Sequence, residues 1–173
     1  ELAPLKLDAA RFRTSVGELP QDRWGAHGID AVEFLIATNT GADFAPLTKI
    51  ASGGELSRFI LALKVALAEQ GGAATVIFDE IDRGVGGATA DAVGRRLKRL
   101  SGDAQVLIVT HSPQVAALGD RHFRVAKSVS DGMTTSTVTP LQPDQRIEEI
   151  ARMLAGDRIT DAATEAARAL IAG

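Results

Sequence analysis

The residues best suited to chemistry lie between Thr75 and Asp82, in the run TVIFDEID. Thr75, Val76, Ile77 and Phe78 favour a strand and lead directly into Asp79 and Glu80, with a third carboxylate at Asp82. An apolar run this short reads as a strand covered on both faces, as in a parallel sheet. Ligands of such sheets lie beyond the carboxyl ends of the strands, where Asp79 and Glu80 would emerge. Neighbouring carboxylates repel each other and lose hydration, a cost offset by a cation such as Mg2+ or by a role in proton transfer. The same run also reads as a strand that simply ends in solvated acids.

Two further stretches carry reactive groups. In ASGGELSRFILALKVALAEQGG, Ser52 is a good helix N-cap and Glu55 completes a capping box. Leu56, Phe59, Ile60, Leu63 and Leu67 recur at helical spacing, and Gly71 and Gly72 end the run. A capped helix accounts for Ser52 and Glu55 without any function. It does not account for Gly53 and Gly54, because glycine in a first turn weakens a helix and makes sense where backbone approaches a ligand. Free N–H groups at that turn, with the positive end of the helix dipole, suit an anion such as phosphate. In QVLIVTHSPQ a second apolar strand, Gln105 to Val109, stops at Thr110 and His111.

The elements around these groups follow from periodicity and punctuation. RFRTSV (Arg11 to Val16) and IDAVEFLIATN (Ile29 to Asn39) read as strands able to pair antiparallel, with Trp24 and His27 in the loop between them as packing or surface residues. A helix from about Ala88 to Leu100 follows a glycine-rich loop. Its Arg95, Arg96, Lys98 and Arg99 either complement the negative helix end as a solvated face or form a local DNA-contacting patch. Pro113 starts a short helix ending near Leu118. Phe123 to Lys127 and Thr134 to Thr139 form a hairpin through Asp131 and Gly132. Two amphipathic helices, Arg146 to Leu154 and Thr160 to Ile171, flank Gly156 and Asp157. The order β β α β α β α β β α α predicts an α/β lobe with a mixed sheet flanked by helices.

Composition bounds the function. At 173 residues the chain suits one domain or one large lobe, and 45% hydrophobic with 4% aromatic residues calls for an aliphatic core. A net charge of −3 argues against nucleic-acid binding through overall positive charge, so any DNA contact needs a local patch. The absence of cysteine excludes disulfides and thiolate metal sites and fits a reducing cytosol. No apolar run approaches the ~18 residues of a membrane span. The chain opens at Glu1 rather than Met and is expected to be a fragment of something longer.

Taken together, a capped glycine pair opening a helix, an apolar strand ending in Asp and Glu, and a second strand ending in His resemble the carboxyl-terminal half of an ABC-type ATPase head. The phrases KIASGGELSRFILALK, VIFDEIDRGVGG, VTHSPQVAALGD and EEIARMLAG are similar to those of the SMC-like bacterial DNA repair proteins, from about Arg11 onward. The resemblance implies a carboxyl-terminal lobe of a P-loop ATPase head over 11–173, with 1–10 a connector or the end of a coiled coil. It also implies that Asp79 holds Mg2+ through water, that Glu80 activates the water attacking the γ-phosphate of ATP, and that His111 senses that phosphate. Ser52, Gly53, Gly54 and Glu55 would form the signature that binds ATP held by a second head, two ATP molecules being sandwiched in a homodimer of heads.

The implied setting is the bacterial cytoplasm, with no membrane partner, and head engagement that holds DNA double-strand ends. Two departures qualify it. No GxxxxGK followed by Ser or Thr occurs, so the phosphate-cradling Walker A loop belongs to a partner, the amino-terminal half of the head, and the chain alone is expected to hydrolyse no ATP. The D-loop aspartate of ABC proteins is replaced by Gly86. Two other readings stay open: a Mg-dependent nuclease or topoisomerase-type centre built from Asp79, Glu80 and Asp82, and a non-catalytic lobe that bridges DNA.

Overall fold

A computed structural model of the chain describes residues 9–49, 53–69, 74–80, 82, 84–130, 132–156 and 158–173. The chain divides into two compact units, Glu1–Ala66 and Leu67–Gly173.

In the first unit, strand β1 (Arg11–Glu18) pairs antiparallel with β2 (Asp30–Ala37), Arg11 opposite Ala37 and Glu18 opposite Asp30. The connecting loop is fastened by the Trp24 indole, which donates to the Leu19 carbonyl at 2.8 Å, so Trp24 has a structural task. A two-residue strand, β3 (Ala45–Pro46), extends the sheet and was not legible from periodicity. Phe12 packs on Phe34 and Phe59, with ring centroids 5.5 and 5.2 Å apart, while Arg11 and Arg13 lie over the Phe44 ring. These contacts join the sheet to helix α1 (Gly53–Glu69).

The buried stripe of α1 is Phe59, Leu61, Ala62 and Val65, whereas Ile60 and Leu67 are exposed. It is thus rotated from the stripe expected on Leu56, Phe59, Ile60, Leu63 and Leu67. FILALKVALA is apolar almost all round, so spacing alone cannot fix which face turns inward.

The second unit contains a parallel pair, β4 (Thr75–Asp79) and β5 (Gln105–Val109), in the register Thr75 to Gln105 through Asp79 to Val109. Helix α2 (Gly87–Leu100) makes the crossover and buries Ala90, Val93, Gly94, Leu97 and Leu100 at helical spacing. Gly94 is required by packing: a Cβ there would lie 2.7 Å from a Leu118 methyl and 3.3 Å from Val115 Cα. Helix α3 (Pro113–Ala117) can therefore sit close against α2.

After α3 come the antiparallel hairpin β6 (Phe123–Ser130) and β7 (Met133–Pro140), then α4 (Pro143–Ala155) and α5 (Asp161–Ala172). The hairpin strands are longer than expected. Helix α4 starts three residues before the expected Arg146, because Gln142 and Gln145 form a reciprocal capping box and Pro143 fits the first turn. Ala117, Ile150, Ala151, Ala163 and Ala167 form an aliphatic core among α3, α4 and α5.

The β4–β5 pair is covered unequally. Phe78 is buried and Val76, Val106 and Ile108 half-buried, but Ile77, Leu107 and Val109 on the other face are 67, 44 and 53% exposed. The expected cover on both faces is not supplied by the described residues. Side chains of this size gain about 1.5–3 kcal/mol each when fully removed from water.

Candidate functional site

The acidic edge is built by the register of β4 and β5. Asp79, the last residue of β4, pairs with Val109, the last of β5, and the backbone N–H of Glu80 donates to the Val109 carbonyl at 3.0 Å. Because the strands are parallel, Asp79, Glu80 and His111 leave the sheet at the same end from neighbouring strands, and all three are exposed.

Glu80 has φ +46°, the one non-glycine residue with positive φ among the described residues. This left-handed conformation costs a side-chain-bearing residue about 1–3 kcal/mol and persists where surrounding structure holds it. Beyond it the chain turns with Val85 N–H on the Asp82 carbonyl at 3.0 Å, passes Gly84 at φ +76°, and enters α2 at Gly86, its N-cap. Gly86 is exposed.

Asp82 is fully buried, and one carboxylate oxygen, Oδ2, accepts from the Thr110 hydroxyl. The other, Oδ1, is buried with no hydrogen-bond partner among the described residues. Thr110 in turn accepts from the Ser112 N–H at 2.9 Å, and Ser112 donates to Gln114 at 3.0 Å. Asp82 is therefore linked to the residues on both sides of His111. Asp82 and Thr110 emerge past the same sheet edge only because Asp79 is set opposite Val109, a register that comes from the structure.

The residues expected to form the signature fall differently. Gly53, Gly54 and Glu55 form the first turn of α1, in register with the expected helix start, while Ser52 lies outside the described residues. Among the described residues no three or more carboxylates and histidines form a group able to hold a metal ion. Asp82 in particular is drawn inward to Thr110, away from a shared cluster with Asp79 and Glu80.

Some charges elsewhere are matched locally. Arg95 pairs with Asp91 at 2.9 Å and Lys98 with Asp120, so two of the four cations at the end of α2 are neutralised locally. The hydrogen bond from Lys98 holds the Asp120 carboxyl below its ordinary range, and that to Asp91 raises Arg95. A cavity of about 540 Å³ lined by His122, Phe123, Leu141 and Arg146 includes none of the acidic-edge residues. No described helix is long and apolar enough to cross a membrane.

The mixed α/β architecture is that of an SMC-type head. An Smc head domain with a coiled coil and joint from Pyrococcus yayanosii aligns with 86% of this chain and 26% of that one, with a TM-score of 0.62 and 23% identity. A structure from work on ATP-driven dimerization and DNA-stimulated activation of SMC ATPases aligns over 84% of both chains, with a TM-score of 0.56 and 21% identity. No family model matches the chain.

Among relatives, DNA repair protein RecN of Rickettsia bellii is 44% identical over 171 residues, 99% of this chain and 31% of that protein. RecN of Xylella fastidiosa strain 9a5c is 52% identical over 145 residues, 84% of this chain and 26% of that protein. Over the stretch it shares with them the chain is similar to the RecN DNA repair proteins, and it spans less than a third of their length.

Proposed function

We propose that the chain is the carboxyl-terminal lobe, residues 11–173, of an ATP-hydrolysing head. The observation that carries this reading is the common exit of Asp79, Glu80 and His111 from the ends of two paired parallel strands. A triphosphate lying beyond that edge meets an acidic pair and an imidazole together. Glu80 orients and deprotonates the attacking water, a general-base role worth about 10²- to 10⁴-fold in rate. His111 hydrogen-bonds the γ-phosphate of ATP.

Asp79 suits Mg2+ because it is an exposed oxygen donor at the strand end, and the ion, held through water, would neutralise phosphate charge. Gly53, Gly54 and Glu55, in the first turn of α1, offer backbone N–H groups and the positive helix end, with Ser52 preceding them in sequence. In a homodimer of heads that turn takes the γ-phosphate of the nucleotide bound to the other copy. The connector or coiled-coil end expected over 1–10 falls mostly on residues 1–8, outside the described residues.

The partner within each head is the amino-terminal half carrying Walker A. The exposed Ile77, Leu107 and Val109 support this, since an apolar strand face gains most from a covering layer. By analogy with RecN, head engagement driven by ATP holds DNA double-strand ends during break repair in the bacterial cytoplasm. The nuclease or topoisomerase-type reading is weakened by Asp82, which is buried on Thr110 rather than shared with the other acids.

The test is Glu80→Gln in the full-length protein. Loss of ATP turnover with DNA left uncut supports the head reading. Metal-dependent DNA cleavage without ATP supports the nuclease, and unchanged repair activity after replacing both Glu80 and Ser52 supports a structural lobe.

A further inference from the structure

We propose that Asp82 and Thr110 are positioning residues that lock the Glu80 turn to the His111 turn, holding the two groups at a fixed separation. The inference rests on the ATPase-head reading above. Asp82 is a fully buried carboxylate whose partner, among the described residues, is a neutral hydroxyl, with its second oxygen unpartnered. Burying a carboxylate this way is unfavourable, and an apolar side chain would fill the same space more stably. Its position explains what it does instead.

Thr110 has one hydroxyl proton. Donating it to Asp82 leaves the oxygen to accept from the Ser112 N–H at 2.9 Å, so the chain of bonds has a single polarity: Ser112 N–H to Thr110 to Asp82. His111 lies between Thr110 and Ser112, so both of its neighbours are fixed by this chain. On the opposite strand, the Glu80 N–H is held by Val109 at 3.0 Å and Asp82 is anchored two residues further on. Glu80, at φ +46°, is thus fastened at its own N–H and again just beyond it. Removing the Asp82–Thr110 bond takes away the second fastening and lets the Glu80 turn and the His111 turn shift relative to each other. Neither Asp82 nor Thr110 need touch nucleotide; both act through their neighbours.

The discriminating experiment is steady-state ATPase kinetics on the full-length protein with Thr110→Val, Thr110→Ser, Asp82→Asn and Glu80→Gln. Thr110→Val keeps the shape and removes the hydroxyl; kcat is expected to fall about ten- to hundredfold, as for misplaced catalytic groups, with KM for ATP little changed. Thr110→Ser restores the donor and is expected to recover most of kcat. A merely structural role predicts that Val and Ser variants lose stability and kcat in parallel, and that result overturns the proposal. Should Thr110→Val not fold, Asp82→Asn reads the same bond, since the amide accepts more weakly; unchanged kcat there overturns it as well. Glu80→Gln separates the two levels: turnover lost with Glu80→Gln but kept with Thr110→Val and Asp82→Asn sinks only the positioning role, whereas turnover kept with Glu80→Gln sinks the head reading itself.

Discussion

The backbone N–H of Glu80 donates to the Val109 carbonyl at 3.0 Å, extending the parallel ladder one rung past the last residue of β4. That bond places Glu80 at the end of its strand beside the segment that carries His111, so both leave the sheet at the same end.

Helices α2 and α3 meet through Gly94, where an added Cβ would press on Leu118 and the Val115 backbone. Gly94→Val is expected to lower stability by about 1–3 kcal/mol through overpacking, measured by denaturant titration. A neutral or stabilising effect would show that the helices do not approach this closely.

The α3–α5 layer is expected to loosen on acidification. Burial, then the nearby Arg146 charge, hold His122 below its ordinary 6.5, with Glu149 opposing in part. Its contribution is therefore complete above pH 6.5 and lost as pH falls through the lowered value. Glu149 accepts from Arg152 at 3.0 and 2.6 Å, and this pairing, with help from Arg124, holds it below its ordinary 4.5 despite burial. Its contribution is complete above pH 4.5 and lost as pH falls further. Amide hydrogen exchange in α3 and α4 should thus accelerate as pH drops, relative to the intrinsic rate, and His122→Asn should remove the part that begins below 6.5. Protection that instead rises on acidification would contradict this.

The cations at the end of α2 are expected to contribute little to DNA affinity. Arg95 and Lys98 already face Asp91 and Asp120. Replacing both with alanine in the full-length protein should leave DNA affinity and its salt dependence unchanged, because counterion release requires cations free to meet phosphate. A weaker complex with a shallower salt slope would place DNA on this helix.

Much of the fold was readable because its elements announce themselves. The runs TVIFD and QVLIV are short and rich in β-branched residues, as strands are, and Pro113, Gly132 and Gly156 punctuate where α3 begins, the hairpin turns and α4 ends. The inward face of α1 was not readable, since Leu, Ile, Val, Phe and Ala occupy nearly every side of that helix. The early start of α4 was hidden because PDQ carries caps and no apolar residue. At the site, the acids and the imidazole were visible as strand-end residues, but the Asp82–Thr110 bond depends on register between strands, which local patterns do not encode. The uncovered face of β4–β5 escaped for a related reason: strand-forming residues do not reveal whether their second cover lies in the same stretch of sequence.

The most direct measurement is ATP- and Mg2+-dependent association and turnover, comparing this chain alone with the chain supplied with the Walker A half, as wild type and as Glu80→Gln. The expected result is no turnover for the chain alone, ATP-dependent head dimers and turnover once the other half is present, and dimers that persist with hydrolysis abolished by Glu80→Gln. Tight ATP binding or hydrolysis by the chain alone, or turnover in the complete head that survives Glu80→Gln, would contradict it.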